Sequence, residues 1–193
     1  MKLLAKAEKN RGFWFLLRAS FIFFLLRFPS LFEPNWYGDE GIYQVLGIAV
    51  RQGRLLYKEI FDNKPPLLYL IYALLNSDQF AVRLASLIFG ILALITFFML
   101  SRRLFGEKEN GRKITIIITS VFGLLFALPL LEGNIANAEN FMLFPIITAG
   151  LIIFSLGNII SRTQKTRILL FTISGFLLGL SFLFKIVAIF DFS

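Results

Sequence analysis

Five long apolar runs dominate this chain, at roughly residues 12–32, 80–101, 114–131, 141–160 and 168–190. Each approaches the ~20 apolar residues that a helix needs to cross a bilayer. Composition agrees: 57% of the 193 residues are hydrophobic, 17% are charged and 24 are phenylalanine. A soluble domain carries about one charged residue in four. The expected fold is therefore all-α: a polytopic transmembrane helix bundle. Arg18 and Arg27 interrupt the first run, and Phe28-Pro29-Ser30-Leu31 lacks the small-residue pattern of a cleavage site, so that run reads as a retained span. The last residues, KIVAIFDFS, stop at the end of an apolar stretch, so residues 1–193 are expected to be the amino-terminal part of one longer transmembrane domain.

Charge sets the topology. Lys2, Lys6, Lys9 and Arg11 precede the first run. Arg102, Arg103, Lys108, Arg112 and Lys113 follow the second, and Arg162, Lys165 and Arg167 follow the fourth. Between the first two runs, Pro66 to Leu75 is apolar but only about 15 Å long as a helix, half a hydrocarbon core. If it does not cross, all three basic clusters fall on the cytoplasmic side. Residues 33–79 and the short loop around Leu131–Asn140 are then extracytoplasmic. The net charge of +8 is a topology signal at span ends, with no nucleic-acid partner implied. The chain has no cysteine to form a disulfide and no histidine to serve as metal ligand or base, so carboxylates must carry any proton transfer.

The first outer loop has helical punctuation of its own. Asp39 is placed to cap a helix over about Glu40–Gln52 that Gly53 ends. Ile42, Val45, Leu46, Ala49 and Val50 recur on one face, as in a helix lying flat at the interface. Pro65 and Pro66 reset the chain, and Leu67–Leu75 follow as a short juxtamembrane helix.

Five residues in these outer segments have the chemistry of a site. Asp39 is a candidate general base whose pKa a membrane-edge setting is expected to raise, and Glu40 stands beside it. Their plain alternative is a cap and a first-turn acid complementing the helix dipole. Lys64, held before two prolines, is a point charge for a lipid phosphate, or else a lysine snorkelling to the headgroups. Glu139, at the lip of the fourth span, is placed to bind sugar hydroxyls or orient the base, or is a solvated loop acid. Asn134, Asn137 and Asn140 add amides there. Lys185 falls within the fifth apolar run, where a lysine is a functional candidate by default. All five map to one membrane face. No phosphate-binding glycine loop, dinucleotide fingerprint or zinc-protease motif is present.

These segments resemble the GT-C superfamily of integral-membrane glycosyltransferases. The nearest branch is that of the protein O-mannosyltransferases, lipid A aminoarabinose transferases and Rgt-like transferases. The resemblance runs through GDEGIY, GRLLYKEIFDNKPPLLY, FAVRLASLIFG, NAENFMLFP and GLSFLFK, over almost the whole chain. It implies transfer of a sugar from an isoprenoid-phosphate donor to an acceptor hydroxyl of a glycolipid, glycan or protein. It also implies that Asp39 is the catalytic acid of the first outer loop and that Lys64 contacts the lipid phosphate. Asn63 stands where some members carry a glutamate, which puts a divalent metal in doubt. No other cofactor is implied. The expected setting is the plasma (inner) membrane, with the site outside. The rival is a transporter or lipid-binding subunit, which favours broken helices at midplane and repeated halves.

Overall fold

A computed structural model describes residues 11–34, 37–106, 108–156 and 163–186. Among them are seven α-helices: α1 (Arg11–Arg27), α2 (Gly38–Arg51), α3 (Leu67–Leu74), α4 (Gln79–Phe105), α5 (Gly111–Ala127), α6 (Ala138–Leu156) and α7 (Gln164–Phe182). Short 3-10 turns, Phe28–Leu31 and Pro129–Leu131, extend the paths of α1 and α5. The described residues contain no strand, only a single bridge between Leu56 and Ile60. The chain is an all-α polytopic bundle.

Four helical segments are long and apolar enough to cross a membrane: Arg11–Leu31, Gln79–Phe105, Ala138–Ser155 and Gln164–Phe182. The expected run over 114–131 is the 17-residue helix α5, which stops at Ala127. Leu128 is extended there, as residues before proline tend to be, and Pro129 begins the next turn. The ends of the fourth and fifth expected runs, at 157–160 and 187–190, lie outside the described residues, as do Lys2, Lys6, Lys9 and Arg162.

The longest helix, α4, is the spine, packed against α1, α5 and α6, while α7 packs on α6. Glycine permits the closest approach: a Cβ on Gly90 of α4 would lie 2.8 Å from the Phe23 ring of α1. Phe97 and Phe122 stack between α4 and α5 with ring centroids 4.3 Å apart. Asp78 caps α4 by accepting the Ala81 N–H at 2.8 Å. At this same end α1 finishes, because Arg83 of α4 donates through Nη1 to the carbonyls of Ser30 and Glu33 at 2.6 Å each. The start of α6 and the end of α7 meet there too, through Glu139 and Lys185. Arg102 and Arg103 lie at the opposite end, in the last turn of the 27-residue α4.

The outer loop forms a small layer across this end. Helices α2 and α3 pack on each other, and a buried cluster including Tyr43, Leu68, Tyr69, Tyr72, Phe141 and Phe184 joins them to α6 and the end of α7. Gly47 is the point of closest contact: a Cβ there would lie 2.6 Å from Tyr72 Cβ and from Ser77 Oγ. Gly53 ends α2 with φ +86°, the left-handed conformation that favours glycine. The apolar face expected of α2 is divided. Leu46 and Val50 pack inward, while Ile42 and Val45 are 49% and 65% exposed. Glu40, Tyr43 and Gly47 take the inward positions beside Leu46. Two of them are polar, and each finds a partner that repays its burial.

Candidate active site at the mouth of the bundle

Asp39 occupies the second position of α2, not the cap, which falls at Tyr37 without a side-chain cap bond. Its carboxylate is thereby released from capping and reaches the K-P-P segment. Asp39 Oδ2 accepts from Lys64 Nζ at 2.8 Å and from the Tyr43 hydroxyl at 2.9 Å. Lys64 also donates to the Tyr43 hydroxyl and sits 4.4 Å from the centroid of that ring. Oδ1 of Asp39 has no hydrogen-bond partner among the described residues, and the side chain is 46% exposed. One oxygen is thus fixed while the other is left without a hydrogen bond on a half-exposed side chain, which suits a proton acceptor.

Electrostatics correct one expectation. Hydrogen bonding to Lys64 is the leading influence on Asp39 and holds its pKa below the usual carboxylate value, outweighing desolvation. The membrane-edge setting therefore does not raise it. A cation within hydrogen-bond reach favours the carboxylate more than this partial burial disfavours it. Burial, then the bond to Asp39, push the Tyr43 phenol far up, so it stays a neutral donor.

Glu40 does not join Asp39. It is 3% exposed and locked to Arg83, itself fully buried, by Arg83 Nε to Oε1 at 2.8 Å and Nη2 to Oε2 at 2.6 Å. Oε1 also accepts the Ala136 N–H at 3.3 Å. With the two carbonyls held by Arg83 Nη1, this pair ties α2, α4, the end of α1 and the 135–138 segment together. Adjacent acids on one helix turn thus point to different places, one into the protein and one outward.

Glu139 and Lys185 form a second ion pair at the same mouth, with side chains 40% and 32% exposed. Lys185 lies beyond α7, which ends at Phe182, not inside a span as its apolar neighbours implied. It is anchored by its N–H to Ser181 O at 3.2 Å. The next link joins the two ion pairs: Leu67 N–H donates to Leu183 O at 3.1 Å, pinning the K-P-P segment beside the end of α7. Lys185 lies near enough to lower the pKa of Asp39, and Glu139 near enough to raise that of Tyr43. Asp39, Lys64, Glu139 and Lys185 therefore share one neighbourhood, with Tyr43 at its centre and Tyr69 and Tyr72 packed behind it.

The asparagines are not placed to greet sugars. Asn134, Asn137 and Asn140 are all 6% exposed or less. Asn137 Oδ1 accepts the Asn140 N–H at 3.2 Å, and the Asn140 amide donates to the Glu132 and Ile135 carbonyls. They build the loop that presents Glu139. Arg51, Arg54 and Lys58 are exposed on the outer layer. Four participants escaped the sequence reading: Tyr43, Arg83, Glu132 and Asp62. Tyr43 was visible as a helical i, i+4 neighbour of Asp39, and Arg83 as a guanidinium opening an apolar run. Glu132 accepts the Tyr37 hydroxyl, which raises that phenol's pKa to about 12. Asp62 accepts from Tyr69 at 2.6 Å and from the Asn63 N–H at 2.7 Å, bracing the loop before Lys64. No signal in sequence marked either acid.

The described residues include no group of three or more acidic, histidine or cysteine side chains that could hold a metal ion. A family model described as dolichyl-phosphate-mannose-protein mannosyltransferase matches residues 64–191. Neither a curated protein nor a solved structure matches the chain.

Proposed function

The chain belongs to the dolichyl-phosphate-mannose-protein mannosyltransferase family, and from that premise we propose that it takes its sugar from a polyprenyl-phosphate donor and passes it to an acceptor hydroxyl. It is a GT-C glycosyltransferase and an integral membrane protein. The observation that carries the finer assignment is Asp39, with one oxygen held by Lys64 and Tyr43 and the other open.

The proposed reaction is a single displacement at the sugar. The acceptor oxygen attacks the anomeric carbon as its proton passes to Asp39. The bond from that carbon to the phosphate oxygen breaks, and the polyprenyl phosphate leaves with the electron pair. Oxocarbenium character develops on the sugar, and a single displacement inverts the anomeric centre. Lys64, with Lys185 beside it, stabilises the charge gathering on the leaving phosphate. Glu40 acts at a distance, by holding the first turn of α2 through Arg83. Glu139 anchors Lys185. Counting the 17-residue α5 as a third pass beside the four longer spans, the positive-inside rule favours cytoplasmic basic helix ends and a site on the extracytoplasmic face of the plasma (inner) membrane. A transporter would gather its polar groups at midplane, whereas this cluster lies at one end of the bundle.

The test is donor choice. The full protein in nanodiscs, given membranes as acceptor source, should release polyprenyl phosphate from a mannosyl-phosphoryl polyprenol and transfer the label. Transfer from a nucleotide sugar, with the lipid donor left intact, would contradict the assignment.

A further inference from the structure

The site is neutral in a way that a phosphate-binding site should not be. Its two ammonium groups, Lys64 and Lys185, are each bound to a carboxylate, Asp39 and Glu139. A lipid phosphate arriving at this mouth meets two closed ion pairs and no spare positive charge within them. Yet the same lysines are the cations that act on the Asp39 carboxylate. They are also too exposed, at 21% and 32%, for either pair to be a buried structural lock of the Glu40–Arg83 kind.

We propose that Asp39 and Glu139 are stand-ins for the donor phosphate: on binding, Lys64 and Lys185 exchange their carboxylates for the phosphate oxygens, and the exchange frees Asp39 to act as base. This rests on the glycosyltransferase assignment and adds an order of events to it.

The surroundings are built for such an exchange. Lys64 lies at the hydroxyl edge of the Tyr43 ring and donates to that hydroxyl, so the ammonium has a neutral partner beside it while it changes anionic ones. The Tyr43 hydroxyl continues to hold Asp39 Oδ2 after Lys64 departs, so the base keeps its aim. Pro65 and Pro66 fix the lysine's backbone, the Leu67–Leu183 bond ties the segment after Lys64 to the segment before Lys185, and both lysines act on the Asp39 carboxylate. In the absence of donor the acids spare the membrane edge two uncompensated ammonium groups. In its presence the carboxylate loses the cation that depressed its proton affinity and becomes the stronger base. Catalytic power then appears only when the leaving group is in place, which guards against idle chemistry at the open site.

The exchange makes an unusual demand: removing the negative charge of Asp39 must strengthen phosphate binding, because Lys64 no longer has to leave a partner. The probe is an unsugared polyprenyl monophosphate, which binds without reacting, with the uncharged polyprenol as control. Affinities are measured for the full protein in phosphatidylcholine nanodiscs. Asp39→Asn should bind the monophosphate roughly two- to five-fold more tightly, the size expected for releasing a partly exposed ion pair. Glu139→Gln should act in the same direction, and Lys64→Gln should weaken binding. The decisive arm is Asp39→Asn in the Lys64→Gln background, where the gain should vanish. A gain that persists without Lys64 means that Asp39 merely repels phosphate, and overturns the exchange. An Asp39→Asn variant that binds no more tightly than the intact protein also overturns it, even if Lys64→Gln weakens binding as the functional assignment requires. If Lys64→Gln changes nothing either, the phosphate site itself is wrong. Polyprenol affinity should be the same in every variant.

Discussion

Replacing Glu40 by alanine separates a positioning acid from a chemical one. The Glu40–Arg83 pair is fully enclosed, with side chains 3% and 0% exposed. The substitution leaves Arg83 Nε and Nη2 without acceptors, and the Ala136 N–H loses its carboxylate as well. Removing one partner of a buried pair costs about 3–5 kcal/mol, because the remaining charge is stranded. Two carbonyls still hold Arg83 Nη1, which places the expected loss toward the lower end, about 3 kcal/mol. For a chain of this size that corresponds to a fall in Tm of roughly 6–12 °C. Thermal unfolding in mild detergent, followed by tryptophan fluorescence, measures it. Because stranding does the damage, Glu40→Met combined with Arg83→Met should recover much of the loss, as apolar replacement of whole buried pairs often does. Sugar transfer should recover in parallel with stability. A Glu40→Ala protein of normal Tm that has lost transfer would refute the reasoning and return Glu40 to the chemistry.

Gly47→Val should loosen the outer layer by about 1–3 kcal/mol through overpacking, since even a Cβ meets Tyr72 and Ser77 at 2.6 Å; faster protease cleavage in the 53–66 loop reports it. The acid limb of the pH profile of kcat/KM should lie below the ordinary carboxylate value, because Lys64 depresses the pKa of Asp39 in the free protein. The sign follows from linkage: stability contributed by the ionised Asp39 is present above its unfolded pKa of about 3.9 and is lost as pH falls through the lower folded value. Lys64→Gln should move the acid limb upward, and an unmoved limb would show that Lys64 does not set the base. Single cysteines at Glu59 and Lys165 should differ in labelling by an impermeant thiol reagent added outside. Glu59 should react and Lys165 should not, and the reverse would invert the topology.

Run length and punctuation made most of the helices legible in sequence. Pro66 before Leu67 and the brevity of the following apolar stretch give the observed Leu67–Leu74 helix almost to the residue. Gly53 marks the end of α2 because its φ +86° suits few other residues. Composition misled where apolar residues continued past a helix end. Phe182, Leu183 and Phe184 look like more span, yet the backbone turns after Phe182 and Phe184 stacks on Phe141 of α6. Proximity of Asp39, Lys64, Glu139 and Lys185 follows from counting crossings. Their pairing does not, because Asp39 and Glu40 are neighbours on one turn and only the position of α4 decides which meets an arginine. The burial of the asparagines was not legible for a related reason. An amide in a loop reads as available until the carbonyls that it satisfies are located.

The central claim is that Asp39 takes the acceptor proton, and Asp39→Asn tests it most directly. Asparagine preserves the shape and can still accept from Tyr43, but it cannot take up the proton. The full protein should transfer sugar from the polyprenyl-phosphate donor roughly 10²–10⁴-fold more slowly, the usual contribution of a general base. It should still bind donor, with Glu59→Gln in the same loop transferring at the normal rate. Transfer by the Asp39 variant at a rate close to that of the intact protein would contradict the account.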